Sequence, residues 1–566
     1  MRRFLIGLLA SIGAVTLVVV VLAVIGLTRY VGYAPALPER MLLTADWREG
    51  LAERSTATGL LDFALHPKPT ITDIVMALDA AAADPRVGGL VVRLAETTNG
   101  LGATQELRDA IKRFRASRKF AIATADSFGE LSSGNEGYYL ATAFDEIDLQ
   151  PGGLVGLTGL SAQVPLARDL LASLGIDFEV VRRAEFKTAM ETLTDSQLTE
   201  PNREQLDALL DTLNGQLVDG IAEGRRMAPA AVQQLIDQGP FSSDEARAAR
   251  LVDALRYPDE ATRTSLARLG HHAVAVDLAD YVAQRPEPHV PVAAVALVRA
   301  AGMIHRGEGS PVDGIAADEL AGVLAGIAKD KHVHAVILRL DSGGGSAVAS
   351  ETIRHAVQQV RAAGKPVVVS MGSTAASGAY WIAVAADRIV AQPGTLTGSI
   401  GVIAGKPVLA DTWRKLGVNW AEISRGDNAE IWSINKPYSE ASKARVDQLV
   451  GWLYDRFTSL VAEGRKLAPA RVQEIARGRV WAGATALELG LVDKLGGFDE
   501  AAAAVREALE LPPDAPLDIE IRPEERYPAE RLLDLLGASL GSLSTLLGTA
   551  WPALDGTAVS MPLTIR

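Results

Sequence analysis

Val333–Gly372 reads VHAVILRLDSGGGSAVASETIRHAVQQVRAAGKPVVVSMG. Its two ends, VHAVILRL (Val333–Leu340) and KPVVVSMG (Lys365–Gly372), are apolar and rich in β-branched residues. Glycine and proline bound them, which marks both as strands. Between them, Ser346–Ala363 carries apolar residues at helical spacing and stops at Gly364, a residue suited to a left-handed helix cap. Strand, helix and strand with unbroken apolar strands predict a βαβ crossover and a parallel sheet buried on both faces. The stretch therefore predicts an α/β fold.

Outward from this stretch the chain repeats itself. ATAFDEIDLQPGGLVG from Ala141 matches AVAADRIVAQPGTLTG from Ala383, and AEGRRMAPAAVQQL from Ala222 matches AEGRKLAPARVQEI from Ala462. LVDALRYPDE from Leu251 matches LVDKLGGFDE from Leu491, and VVRLAETTNGLGATQELRDAI from Val91 resembles ILRLDSGGGSAVASETIRHAV from Ile337. Two α/β units follow, about Leu42–Gln284 and Val290–Glu500, joined by a proline-rich linker, AQRPEPHVP (283–291). Residues 501–566 form a separate tail. Its Ala529–Leu554 has leucines at helical spacing, with glycines that weaken a long helix; it reads as partly helical and is expected to dock on protein, the body or a neighbouring subunit, rather than on the membrane surface.

The 566 residues exceed what one core organises, which agrees with two units. Hydrophobic content of 48% and charged content of 22% describe a globular chain. A net charge of −13 argues against a general nucleic-acid binder, and the absence of cysteine excludes thiol catalysis, disulfides and cysteine-bound metals. After Met1-Arg2-Arg3 comes an uncharged run, Phe4–Thr28. It is long enough to span a bilayer and longer than the apolar core of a cleavable signal peptide. Residues 1–28 therefore read as a membrane anchor. Arg2 and Arg3 precede the run, and the charge bias predicts a cytoplasmic N-terminus with the bulk of the chain outside.

GSTAASGAYW (Gly372–Trp381) places serines where a strand passes into a helix. Ser373 or Ser377 could simply cap that helix. Ser377 also has small neighbours, Ala376 and Gly378, and the Gly378 amide follows it as a free donor, which are parts of an oxyanion hole. DSGGGS (Asp341–Ser346) lets backbone approach a ligand, or serves as a plain turn; no Gly-Lys-Ser/Thr follows to make it a phosphate loop. At the repeat offset, Asn135 stands at the position of Ser377 and Ala429 at that of Lys187. One unit has the serine without the lysine, and the other the reverse, which hints at a shared site.

In these segments the chain resembles the signal peptide peptidase A family of bacterial serine proteases (protease IV), in its long, two-repeat form. The resemblance runs from the N-terminal anchor to about Glu500. SMGSTAASGAYWIA is similar to the family's nucleophile segment, EFKTAMET to its general-base segment, LTGSIGV to the segment with the lysine-orienting serine, and RLDSGGGSAVASE to its oxyanion loop. The resemblance implies Ser377 as nucleophile, Lys187 as general base, Ser399 as the residue orienting the lysine, and the Gly345 and Gly378 amides as oxyanion donors. It further implies a Clp protease/crotonase-like fold in tandem, no metal or organic cofactor, and a bowl-shaped homotetramer. Its implied substrates are cleaved signal peptides and other unfolded peptides at the bacterial cytoplasmic membrane, with the body on the periplasmic side. Two departures stand out: Gly343 replaces the usual loop proline, and Thr192 replaces the proline after the base segment's glutamate. A crotonase-like acyl-CoA enzyme would share the glycine loop but explains neither Lys187 nor Ser377. A catalytically decayed membrane scaffold is opposed by the intact serine and lysine. His332, His334 and His355 lie in the serine's unit but read as strand-start and helix-surface residues.

Overall fold

An apolar strand with no polar alternation needs cover on both faces. In this computed structural model, residues 36–54, 68–96, 99–130, 132–284, 292–309 and 314–523 are described. The expected anchor Phe4–Thr28, residues 285–291 of the linker and the leucine-rich tail segment Ala529–Leu554 lie outside the described residues. Among the described residues no helix is long and apolar enough to cross a membrane.

The first repeat builds a six-stranded parallel sheet. Its order is Ala254–Leu255, Glu146–Leu149, Phe120–Ala125, Val87–Leu94, Met41–Asp46, Val274–Asp277. The second repeat's main path runs Val480–Ala482, Leu396–Gly398, Val367–Ala376, Val333–Ser342, Ala293–Ala301, Leu517–Arg522. Arg388–Ala391 also pairs with Val367–Ala376, and Lys494–Leu495 with Arg388–Ala391. All of these pairs are parallel except that of Val480–Ala482. The expected crossover is present. Its helix spans Ala347–Ala362, Ser346 Oγ accepts from the Ala349 N–H at 3.3 Å, and Gly364 sits at φ 81° just past the end.

Side chains of Val333–Ser342 alternate between two cores, as a strand's period of two requires. Val336, Leu338 and Leu340 enter the second repeat's own core. Ala335 and Ile337 enter a different core, with Leu297, Val368 and Val390, which also holds Phe498, Ala501 and Val505 of the second repeat and Ile74, Ala103 and Leu107 of the first. The second repeat's helix Phe498–Ala508 lies on this face of its sheet, and the first repeat's helix Leu101–Ala116 packs on Val367–Ala376, so both repeats contribute to one core. Each buried aliphatic side chain contributes about 1.5–3 kcal/mol, so this common core is a large attachment between repeats. One buried charge cluster crosses the same boundary. Arg339 NH2 donates to Glu53 Oε1 and Glu106 Oε2, both at 2.6 Å, and its NH1 to Ser370 Oγ at 2.9 Å. Removing Arg339 would leave two buried carboxylates without their counter-charge.

The second repeat's secondary structure continues past Glu500. The helix Phe498–Ala508 runs across that position, and Leu517–Arg522 pairs with Ala293–Ala301 just as Val274–Asp277 pairs with Met41–Asp46. Edge pairing uses backbone groups, so it persists where residue matches have ended. A second link between repeats is a two-stranded antiparallel ribbon. Asp177–Arg183 of the first repeat pairs with Val402–Val408 of the second, in register from Arg183–Val402 to Asp177–Val408.

Candidate active site

The strand Val367–Ala376 ends at a sharp corner. Ser377 takes φ 56° and ψ −117°, and the helix Gly378–Ala383 starts directly after it. A positive φ is costly for a residue with a side chain and persists only where its surroundings enforce it. Here the Ser377 N–H donates to Gly398 O at 2.9 Å, and its carbonyl accepts from Trp381 N–H at 2.9 Å. Trp381 Nε1 in turn donates to Glu351 Oε2 at 2.8 Å, tying the helix to its neighbour.

Lys187 arrives from the other repeat. The ribbon strand Asp177–Arg183 aims the following residues at the second repeat, where Phe186 N–H donates to Arg477 O at 3.1 Å. Gly478, at φ 82°, has no side chain, and a Cβ there would stand 2.6 Å from Lys187 N. Lys187 is 6% exposed. Its Nζ lies 2.9 Å from Ser377 Oγ, 2.9 Å from Ser399 Oγ and 3.0 Å from Ser399 O. Burial alone pushes its pKa down to about 8, because a desolvated ammonium is disfavoured. A neutral amine has two N–H groups and one lone pair. The Ser399 carbonyl can only accept, so it takes one N–H, and Ser399 Oγ can take the other. The lone pair is then left facing the Ser377 hydroxyl. Ser399 is itself held at φ 50°, with its N–H on Arg479 O at 2.7 Å.

The glycine loop closes the other side. Gly344 lies at φ 104° and Gly345 at φ 155°. Ile304 N–H donates to Gly344 O at 3.0 Å, and Ser346 N–H to Ile304 O at 2.9 Å. A Cβ on Gly344 would meet Gly378 N at 2.7 Å and Ser377 Cβ at 2.8 Å, and one on Gly378 would lie 3.1 Å from Gly345 N. The Gly345 and Gly378 amides therefore sit side by side next to Ser377. Among the described residues neither donates a hydrogen bond within the protein. Where the usual loop proline is replaced by Gly343, the loop is latched by Ser342 Oγ, which accepts from Gly344 N–H at 3.1 Å.

All five residues singled out from the sequence, Lys187, Gly345, Ser377, Gly378 and Ser399, come together. Ser373 does not join them. Its Oγ donates to Asn99 O at 2.9 Å and accepts from Ala103 N–H at 3.0 Å, so it serves the first repeat's helix start. Asn135, at the matching position of the first repeat, is fully engaged. It donates to Ser133 Oγ and Gly159 O and accepts from the Thr158 and Gly159 amides. His332 lies 3.0 Å from Glu520, and His355 meets Gln359 on the helix surface. Gly344 packs on both Ser377 and Gly378, a role with no distinct signal in the sequence. Its only trace was membership of a three-glycine run.

A base that must be neutral gains activity as pH rises through its pKa. If Lys187 is the base for Ser377, acylation of Ser377 is expected to climb on a basic limb centred near 8, about two units below a free lysine. Rates of covalent labelling by a fluorophosphonate, measured from pH 6 to 10, check this. A flat profile there would remove Lys187 as the base.

Two α/β repeats share one core and bring a buried amine against a strained serine corner beside two unpaired amides. That arrangement is equipped for acyl transfer. The chain belongs to peptidase family S49, whose model matches residues 115–270 and 359–512, one copy in each repeat. It is 32% identical to Protease 4 of Haemophilus influenzae over 478 residues, 81% of this chain and 75% of that one. It is 32% identical to Protease 4 of Salmonella typhi over 459 residues, 78% and 72% of the two chains. The chloroplastic serine protease SPPA of Arabidopsis thaliana is 31% identical over 444 residues, 76% of this chain. The match spans 64% of that relative's length.

Proposed function

We propose that this chain is a serine endopeptidase with a Ser377–Lys187 dyad that degrades cleaved signal peptides and other unfolded peptides. The observation that carries the reading is the 2.9 Å separation between Lys187 Nζ and Ser377 Oγ in a buried setting. Neutral Lys187 takes the Ser377 proton as Oγ attacks the scissile carbonyl. The Gly345 and Gly378 amides hold the developing oxyanion. Lys187 then gives its proton to the leaving amine, and afterwards activates a water that releases the acyl-enzyme. Ser399 fixes the direction of the amine's lone pair. Ser399→Ala is expected to lower turnover by about 10–10³ while leaving the fold intact. Wild-type turnover in a folded variant would exclude Ser399 from the site.

The proposal includes membrane attachment through Phe4–Thr28, with the body on the periplasmic side of a bacterial cytoplasmic membrane. It also includes self-association, as a homotetramer. Asn419–Arg425 stands at the repeat position of Asp177–Arg183, and 160–166 at that of Val402–Val408. The ribbon's own strands are paired, whereas Trp420 and Ile423 are 55% and 91% exposed. A second copy would give these apolar side chains the cover that the ribbon gives its own.

Both halves of the dyad belong to one chain. Tagged Lys187→Ala and Ser377→Ala chains, coexpressed and purified as a mixed oligomer, are therefore expected to remain inactive. Recovered peptidase activity would mean that sites form between chains. Labelling by a fluorophosphonate, lost in Ser377→Ala, is the direct test of the enzyme reading. Equal labelling of that variant would overturn it.

A further inference from the structure

Glu191 lies four residues beyond Lys187 and is 1% exposed. A buried carboxylate is costly unless donors surround it. Three donors do. Arg182 NH1 donates to Oε1 at 2.8 Å, Thr199 Oγ1 to Oε1 at 2.7 Å, and Asn202 Nδ2 to Oε2 at 2.9 Å. Arg182 belongs to the ribbon strand before Lys187, Thr199 is the N-cap of the helix Glu200–Arg225, and Asn202 is in that helix's first turn. The Glu191 N–H also donates to Thr188 O at 2.9 Å, closing the turn directly behind the lysine. The same helix reaches across to the second repeat. Gln205 Nε2 lies 3.4 Å from Thr188 Oγ1, and its Oε1 accepts from Val480 N–H at 2.8 Å. Val480–Ala482 pairs with Leu396–Gly398, the strand directly before Ser399.

We propose that Glu191 is a positioning residue: it pins both ends of the Lys187 segment to one helix and so seats the amine between Ser377 and Ser399. It touches neither reacting atom and acts through the backbone on either side of Lys187. The surrounding charges are matched. Arg182 opposes Glu191, Arg477 pairs with Glu185, and Arg479 pairs with Glu204 at 2.6 Å. Arg183 pairs with Asp447 at 2.8 Å, and among the described residues no unopposed charge faces the amine. Burial is the cause of its lowered pKa, so the seat depends on how tightly the segment is held. If the segment loosens, water reaches the amine and its pKa moves back toward that of a free lysine.

This rests on reading Lys187 as the base, so the test titrates the amine itself as well as the reaction. Trace acylation of Lys187 by acetic anhydride across pH 6–11, read by peptide mass spectrometry on the full-length protein, reports the amine without needing turnover. Fluorophosphonate labelling of Ser377 gives the catalytic limb in parallel. In folded Glu191→Ala, both midpoints are expected to move up by about a unit or more, with Ser377 labelling at pH 7 down at least about tenfold. Glu191→Gln keeps the shape and, after a flip of the Asn202 amide, most of the hydrogen bonds. Because Arg182 then lacks its counter-charge, both midpoints are expected at or slightly below wild type, not above it. Thr199→Val removes one donor and is expected to shift them a smaller amount in the same direction, which serves if Glu191→Ala does not fold. Unmoved midpoints in folded Glu191→Ala, or in Thr199→Val where that variant stands in, overturn the proposal. So does a Gln variant no better seated than the Ala variant. A limb in labelling that fails to track the amine's own titration in the wild type would instead overturn Lys187 as base, whatever Glu191 does.

Discussion

Lys187→Ala is expected to lower peptide hydrolysis by about 10³ or more, Ser377→Ala by a similar factor, and the double variant by no more than either alone. Groups that act as one unit are not additive: once the base is gone the serine is a poor nucleophile, and once the serine is gone the base has nothing to activate. Activity left in each variant reflects binding and the amides alone. Lys187→Arg is expected to fail equally, because a guanidinium stays protonated at any usable pH and cannot accept the Ser377 proton. Turnover of a fluorogenic peptide, with thermal melting to show that each variant is folded, checks all four. A double variant slower than both singles by a further factor of 10² or more would mean that serine and lysine act independently.

Gly344→Ala carries the second large effect. At φ 104° an alanine is strained, and its Cβ would press on Gly378 N at 2.7 Å and Ser377 Cβ at 2.8 Å. Both neighbours are backbone or first side-chain atoms and cannot swing aside. The loop, the serine or both must shift, which spoils the alignment of nucleophile and amides. Losing one oxyanion donor costs about 10²–10³ in rate, and Gly344→Ala is expected to reach that range with KM little changed. Gly343→Ala is the control, because nothing lies within 4 Å of a Cβ at that position. It is expected to stay within about threefold of wild type. Equal losses in the two variants would show that the loop's general flexibility, and not the contact with the serine corner, matters.

Much of this was legible in the chain. Apolar strands without alternation, set around an amphipathic helix, announced a sheet buried on both faces, and the two cores on either side of Val333–Ser342 supply that burial. The repeat was visible as matched segments, and the complementary losses at Asn135 and Ala429 pointed to pairing between units. The edge strand Leu517–Arg522 was not visible, because its partners are backbone groups that any residue offers. Ser373 and Ser377 had equal claims as helix caps from local sequence. The difference between them is tertiary, since Ser373 faces the start of the helix Leu101–Ala116 and Ser377 faces Lys187.

By itself, then, the order of residues determined the α/β class, the duplication and which residue types could carry acyl transfer. Each of these follows from local periodicity, from self-comparison or from side-chain chemistry. Only the tertiary structure decided how deeply Lys187 is buried, which hydroxyl its amine meets and which residues hold it there. Those depend on contacts between residues far apart in the chain: the ribbon of Asp177–Arg183 with Val402–Val408, Arg477 and Gly478 against the lysine backbone, and Glu191 against the helix Glu200–Arg225. A lysine's ordinary pKa makes it a poor base near neutral pH, and desolvation is what lowers it. Desolvation is a property of the packed molecule and has no local signature in sequence.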